Sequence, residues 1–200
     1  MRLTFVALLV TAAYAPDVCS LTGENAGLCD GTNGLEYVEL INHFLTGEVP
    51  SEIGLLTHVL ELKFSLNSLT GTLPSEIGNL SKLRYLSLWK NSLSGTIPTE
   101  VGRFTQPYFR SFNLAYNYFS GSVPSQMGQM SNVLDMLLED NDISGTVPTE
   151  LGGLLGCRDL YLQRNWISGT VPTQMIYLRR LEEFSFMRGD KMGVPNRVEL

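Results

Sequence analysis

Hydrophobic and polar positions along this chain follow a pattern that returns about every 24 residues. One unit places apolar side chains at Leu80, Leu83, Leu86 and Leu88 and then has Asn91. Each unit closes on a Gly-x-aliphatic-Pro motif, which begins at Gly47, Gly71, Gly95, Gly121, Gly145 and Gly169. A fixed period of this kind predicts a solenoid, in which each unit buries its apolar side only against its neighbours.

The centre of each unit predicts a short β-strand. Leu86 and Leu88 alternate with polar residues, which is the period of a strand with its leucines inward and its other side chains outward. Stacked units then form a parallel sheet. The step from Gly95 to Gly121 carries two extra residues around Gln106 and Pro107, and we expect the sheet to continue past them.

An asparagine after each strand predicts a buried turn. Its amide can donate to and accept from backbone groups that the bend leaves unpaired. The following glycine supplies unusual backbone angles, and the proline stiffens the return segment. The expected ladder of structural asparagines consists of Asn67, Asn91, Asn117, Asn141 and Asn165.

The repeated motif LxxLxxLxLxxNxLSGxIPxxIG resembles the plant-type leucine-rich repeat from about Leu35 to Met187. The resemblance implies a β-rich α/β solenoid, a horseshoe with a concave parallel sheet and a convex side of short strands and 3₁₀ turns. Similar proteins include receptor-kinase ectodomains, secreted inhibitors of pectinases and repeat arrays of algae. The usual amino-terminal cap with a tryptophan and closely paired cysteines is missing, and His43 replaces the first asparagine.

The pattern divides the chain into four segments. Residues 1–13 read as a signal peptide, because Met1-Arg2 is followed by an apolar run to Val10 and then by small residues. A competing interpretation is that this run is a degenerate core segment of a longer array. Residues 14–34 are expected to form a degenerate cap, 35–193 the repeats, and 194–200 a tail or a truncated repeat.

The three cysteines cannot all pair with one another. Cys19 and Cys29 are a candidate disulfide that would cover an exposed end of the core. Cys157 occupies a slot that holds leucine or valine in other units, so we expect it to be a buried apolar side chain. No cysteine or histidine stands at zinc-ligand spacing, and we expect neither a metal nor a cofactor.

The composition narrows the function classes. The 200 residues carry a net charge of −6, and no basic stripe exists that could displace counterions from nucleic acid. No run of 18 apolar residues occurs that would predict a membrane span. The only histidines, His43 and His58, stand in no catalytic arrangement with the periodic serines, so we expect no enzyme activity.

The outward strand positions form columns along the predicted concave sheet. Acidic residues outnumber basic ones there, which favours a basic or neutral partner over an anionic one. Trp89 and Tyr85 are candidate anchors, unless the aromatic rings stack on each other to stiffen the sheet. A purely solvated face is the alternative. The candidate ligand-binding residues are Tyr37, Glu61, Lys63, Tyr85, Trp89, Asn113, Asp135, Glu139, Asp159, Tyr161 and Gln163.

These features favour an extracellular recognition module that binds a protein, a peptide or a polysaccharide. The alternatives are a fragment of a receptor-like protein and an enzyme inhibitor. A fourth hypothesis is an ice-binding surface on two hydroxyl columns, although the family's second sheet also explains such residues. The columns are Thr72, Thr96, Ser122, Thr146 and Thr170, and Ser51, Ser75, Thr99, Ser125, Thr149 and Thr173.

One N-glycosylation triplet occurs in the chain, Asn79-Leu80-Ser81. It lies just after a glycine motif, in a segment expected to be exposed. We therefore predict a secreted glycoprotein with a glycan on Asn79.

Overall fold

The computed structural model describes residues 36–186. The predicted signal peptide, the degenerate cap, the Cys19–Cys29 pair and the tail from residue 194 lie outside the described residues. Within them, Cys157 is a free thiol in the core. Its burial raises the pKa of that thiol to about 12.

Seven parallel strands form the larger sheet, which we call the front sheet, and it is the predicted concave sheet. Their leucine-slot residues, such as Leu62, Leu86 and Phe112, pair in register and are fully buried. The 26-residue step does not break this register. The strands are Tyr37–Glu39, Glu61–Lys63, Tyr85–Ser87, Ser111–Asn113, Asp135–Leu137, Asp159–Tyr161 and Glu183–Ser185.

The opposite side carries shorter elements, which confirms the predicted convex side. Four strands form what we call the back sheet: Ser94–Thr96, Tyr118–Ser122, Asp142–Thr146 and Trp166–Ser168. Thr46–Glu48 and Ser68–Thr70 form a separate pair. Residues 36–186 also contain six 3₁₀ helices, which lie between the back-side strands and the next front strands: Ser51–Leu55, Ser75–Asn79, Thr99–Arg103, Ser125–Gln129, Thr149–Gly153 and Thr173–Tyr177.

A proline stands directly before each 3₁₀ helix. Its backbone is extended, and it has no amide N–H that would need an acceptor at this position. Pro74 has φ −68° and ψ 145°, and its carbonyl accepts from the amide of Ile77 at 3.1 Å. The amide of Leu80 then bonds the carbonyl of Ile77, which ends the helix. The isoleucine slot and the following leucine are buried, so each helix is fixed to the core.

Asparagine side chains join each repeat to the one before it. The Oδ1 atom of Asn117 accepts from the amide of Leu93 at 3.0 Å. Its Nδ2 atom donates to the carbonyls of Leu88 and Leu114, one in the preceding repeat and one in its own, each at 3.0 Å. Asn91, Asn141 and Asn165 repeat this arrangement. Only 5–8% of these four side chains is exposed.

The residue before each of these four asparagines, before Asn67 and before His43 takes a left-handed conformation. Its φ lies between 55° and 59° in six consecutive repeats, although none of the six residues is glycine. They are Asn42, Leu66, Lys90, Tyr116, Asp140 and Arg164. This conformation turns the chain from the front sheet toward the back sheet, and it is one that side chains with a Cβ adopt at a cost.

Phenylalanines fill the core where the two-residue insertion occurs. Phe104 and Phe109 stack with ring centroids 4.9 Å apart, and Phe112 lies 6.4 Å from Phe104. All three are buried. Their volume fills the longer repeat, which explains how the insertion leaves both sheets continuous.

Candidate recognition face

The outward side of the front sheet, which we call the front face, is built from columns of one residue per repeat. Neighbouring strands pair residue for residue, so side chains 24 or 26 residues apart in sequence lie next to each other. The first column runs Tyr37, Glu61, Tyr85, Ser111, Asp135, Asp159 and Glu183. The second runs Glu39, Lys63, Ser87, Asn113, Leu137, Tyr161 and Ser185. Tyr37, Glu61, Lys63, Tyr85, Asn113, Asp135, Asp159 and Tyr161 therefore share one surface.

Negative charge collects at one end of this face. Asp135, Asp159 and Glu183 lie on three adjacent strands at the same register position. Partial burial is the first cause that raises the pKa of Asp159, followed by the nearby carboxylates of Asp135 and Glu183. Partial burial also raises the pKa of Asp135, although Ser111 and Arg158 oppose the shift. The carboxylates thus repel one another, and a cation placed among them would relieve that repulsion.

Glu139 extends the acidic end beyond the strand. Burial raises the pKa of its carboxyl to about 7, and Asp140 adds to the shift by repulsion. Its Oε2 atom is buried without a hydrogen-bond partner among the described residues, as is Oε1 of Gln163 in the next repeat. Glu139 therefore changes charge near neutral pH.

At the other end of the front face, the negative charges are paired with a cation. Lys63 pairs with Glu39 at 2.7 Å and also with Glu61. These two partners raise the pKa of Lys63 against the lowering effect of its burial. Its ammonium lies 5.7 Å from the ring centre of Tyr85. The net negative potential of the face thus belongs to the repeats that hold Asp135 to Glu183.

The aromatic residues on this side differ in exposure. Tyr37 and Tyr85 are 52% and 37% exposed. Tyr161 donates its hydroxyl to Glu183, and this bond raises the pKa of the phenol. Trp89 is half-buried and packs edge-on against Tyr116, with ring centres 6.1 Å apart. Trp89 lies after the end of its strand rather than within it. Its contact with Tyr116 joins two adjacent repeats and so stiffens the sheet.

The convex side carries two hydroxyl columns, one on either side of its glycines. The column after the glycine holds Thr72, Thr96, Ser122, Thr146 and Thr170, all exposed. The column of hydroxyl residues before the glycine was not predicted from the sequence. Its members donate to the glycine carbonyl of the preceding repeat, Thr70 to Gly47 at 3.2 Å and Ser168 to Gly145 at 3.1 Å. A search for hydroxyls on both sides of each glycine would have found it.

The second predicted hydroxyl column lies on the 3₁₀ helices instead. Ser75, Thr99 and Thr149 each donate to the carboxylate of the next residue, a glutamate, at 3.2 Å. These hydroxyls are already engaged. They also lie on other elements than the back sheet, so the two predicted columns do not form one strand surface.

The predicted glycosylation site lies at the end of a 3₁₀ helix. Asn79 is exposed, and Leu80 beside it is fully buried. The Oδ1 atom of Asn79 accepts from Arg103 at 3.3 Å. The side chain of Asn79 is therefore accessible from solvent.

Two absences hold for residues 36–186. None of their helices is long and apolar enough to cross a bilayer. No group of three or more histidine, cysteine, aspartate or glutamate side chains in that range is arranged to hold a metal ion.

Comparison with known proteins agrees with the repeat pattern. The family model described as Leucine Rich Repeat matches residues 58–80 and 82–104. A search of curated protein sequences finds no match. The fold is similar to several solved ectodomains of plant receptors, of which two illustrate the range.

The plant peptide hormone receptor RGFR1, solved in complex with RGF2, is 38% identical over 69% of this chain, with a TM-score of 0.66. The ectodomain of the Arabidopsis receptor kinase HAESA, solved with an extended IDA peptide hormone, is 28% identical over 77% of this chain, with a TM-score of 0.68. This chain spans only 22% and 26% of those two proteins.

A plant ice-binding protein is also similar. It is 32% identical over 66% of this chain, with a TM-score of 0.61, and this chain covers 42% of it. The same solenoid thus occurs in proteins that bind peptides and in one that binds ice.

Proposed function

Because this chain is a leucine-rich repeat protein of the plant type, we propose that it is a non-catalytic, extracellular recognition module whose front face binds a basic peptide or protein segment. The observation that carries the proposal is the column of Asp135, Asp159 and Glu183, in which carboxylates stand side by side. Arg158 is a nearby cation, but it only partly opposes the raised pKa of Asp135 and Asp159. An extended basic peptide laid across the strands would place its charges over this column. The peptide complexes of similar receptors support a polypeptide partner.

Under this proposal, individual side chains of the front face have separate roles. Tyr161 provides a ring beside the carboxylates, Tyr85 provides one two strands away from Asp135, and such residues are common among interface hot spots. Trp89 contributes through its contact with Tyr116, so we expect its replacement by alanine to reduce stability as well as binding. Asn113 and Gln163 offer amides for hydrogen bonds with a peptide backbone.

Binding of a labelled lysine-rich peptide at low salt tests this function. The paired substitutions Asp135→Asn and Asp159→Asn should weaken binding about tenfold or more, because they remove charge from the centre of the face. Glu76→Gln with Glu150→Gln makes the same change in net charge on the 3₁₀ helices and should leave binding within about twofold. Equal loss in both pairs would contradict a specific site on the front face.

A second candidate function is binding to ice through the back sheet. It is favoured by the exposed hydroxyl column that follows the glycines from Gly71 to Gly169 and by the similarity to the plant ice-binding protein. Inhibition of ice recrystallisation by the purified chain would support it. Ser122→Tyr should then abolish the effect by interrupting the surface, whereas Asp135→Asn should leave it intact.

A further inference from the structure

A cluster of positive charge lies on the side of the solenoid, outside the front face. It occupies the segments that lead from the 3₁₀ helices into the front strands. In four consecutive repeats these segments, 55–60, 79–84, 103–110 and 129–134, contain no aspartate or glutamate. We call their cationic part the basic edge, which consists of Lys82, Arg84, Arg103 and Arg110.

The cations of the basic edge are not neutralised by neighbours. The ion pairs found in residues 36–186 involve Lys63, Arg158 and Arg164 and none of these four. Lys82, Arg84 and Arg103 are exposed. In a chain with a net charge of −6, such a local excess of positive charge attracts an anion to one place.

Tyr108 gives this edge a flat ring among the charges. The Gln106 amide donates to the carbonyl of Leu83 at 2.8 Å and fixes the inserted segment to the preceding repeat. Tyr108 in that segment is 37% exposed. The guanidinium of Arg84 lies over its ring, 5.4 Å from the centre.

Arg110 is hydrogen-bonded to the backbone of the same inserted segment. Its Nη1 atom donates to the carbonyl of Pro107 at 2.7 Å and to that of Phe109 at 3.1 Å. Arg110 is therefore partly structural. In the described part of the chain, Lys82 makes no such bond and the guanidinium of Arg84 contacts only the ring of Tyr108, so these two exposed cations are the ones that can meet a ligand.

We propose that the basic edge binds an anionic polysaccharide. A sugar ring can stack on an exposed aromatic ring while its carboxylate or sulfate pairs with a guanidinium or an ammonium. The edge offers both groups within one inserted segment and the repeat before it. A duplex nucleic acid requires a longer basic stripe than four residues in an acidic protein.

Binding of three polymers to the full chain at low salt tests the proposal. Polygalacturonate carries carboxylates, dextran sulfate carries sulfates, and plain dextran is neutral. We expect binding to at least one of the charged polymers, which identifies the anionic group, and none to plain dextran. Added salt should weaken the binding, because the contacts are exposed ion pairs.

Matched substitutions locate the site. The pair Lys82→Ala and Arg84→Ala should weaken binding about tenfold, and Tyr108→Leu should weaken it about threefold. The pair Arg179→Ala and Arg180→Ala removes the same charge from a more distant repeat and should leave binding nearly unchanged. All variants come from one host, so that their glycosylation is equal, and their melting temperatures establish that they are folded.

Three results would overturn the proposal. They are the absence of binding to both charged polymers, equal losses in the two alanine pairs, and binding to anionic phospholipid vesicles but to neither polymer. The front face is left unaltered by these substitutions. Failure here therefore leaves the basic-peptide proposal standing, and the reverse also holds.

Discussion

Single asparagine side chains stabilise the contact between repeats. Asn117 bonds backbone groups on two repeats, and its replacement by alanine leaves the buried amide of Leu93 and the carbonyl of Leu88 without that partner. We expect Asn117→Ala to cost about 2 kcal/mol or more. For a chain of this size the melting temperature should fall by about 4–8 °C.

The control variant is Asn132→Ala, at an exposed hydrogen bond to Thr105, which should change the melting temperature by about 1 °C or less. Equal melting temperatures would contradict the role of the ladder.

The left-handed residue before each asparagine provides a second test at this scale. Leu66 has φ 59°, a conformation that costs a residue with a Cβ about 1–2 kcal/mol and glycine almost nothing. Leu66→Gly should therefore be more stable than Leu66→Ala by about 1 kcal/mol, measured by chemical denaturation. If the alanine variant proved the more stable, strain at this position would be unimportant.

These two neighbouring positions show what sequence reasoning can reach. The asparagine is visible because one residue type recurs at one spacing, and its chemistry predicts a turn. The strained residue before it is hidden, because leucine, lysine, tyrosine, aspartate and arginine all occupy it. The path of the backbone determines the conformation of this residue, and no shared side-chain type marks the position in the sequence.

At the scale of the element, glycines set how closely the 3₁₀ helices stack. A Cβ on Gly102 would lie 2.6 Å from the carbonyl oxygen of Gln126 in the next helix. Gly102→Ala must push the two helices apart, and we expect a loss of about 1–3 kcal/mol. Thr99→Ala on the exposed side of the same helix should cost about 0.5 kcal/mol or less. Urea denaturation of both variants measures the difference, and equal costs would contradict the packing argument.

The threonine columns have a packing role of the same kind. The Cγ2 atom of Thr72 would lie 2.8 Å from a Cβ on Gly95, and that of Thr96 would lie 2.9 Å from one on Gly121. Each methyl thus covers the glycine of the next repeat. The sequence showed the regular threonines, but only the structure separates this packing from a surface function.

At the scale of the whole molecule, stability should depend on pH through Glu139. Its pKa is about 7 in the folded chain against an ordinary 4.5, so the folded state binds the proton more tightly than the unfolded state. The stabilising contribution is complete below the unfolded pKa and is lost as the pH rises through about 7. Relative to Glu139→Gln, the natural chain should lose about 5–10 °C in melting temperature between pH values of about 5 and 8. A parallel course of the two curves would contradict the shift.

The glycan on Asn79 is a prediction about the compartment of the whole molecule. Chain secreted from a eukaryotic host should lose mass on enzymatic removal of N-glycans, because Asn79 is exposed. The variant Asn79→Gln should show no such loss. Secreted chain of unmodified mass would contradict the site, and retention in the cytosol would contradict the signal peptide.

The front face and the basic edge differ in how well the sequence predicts them. The 24-residue period gives the strand register, so Asp135 and Asp159 could be placed side by side from the sequence alone. Arg84 and Arg110 share one offset, directly before their front strands, and a column search finds this pair. Lys82 and Arg103 stand at other offsets and the insertion moves Tyr108 out of line, so only the structure adds these residues to the basic edge.

The asparagine bonds have a consequence for how such a chain can change in evolution. Asn141 bonds groups of its own repeat and of the one before, and Asn165 does the same one unit later. A duplicated unit inserted between two others would bring its own asparagine and would meet the same carbonyls and amides on both sides. The number of units is therefore free to grow by gene duplication without redesign of these hydrogen bonds. Such growth would lengthen the surface available to a ligand by about 4.8 Å at each step.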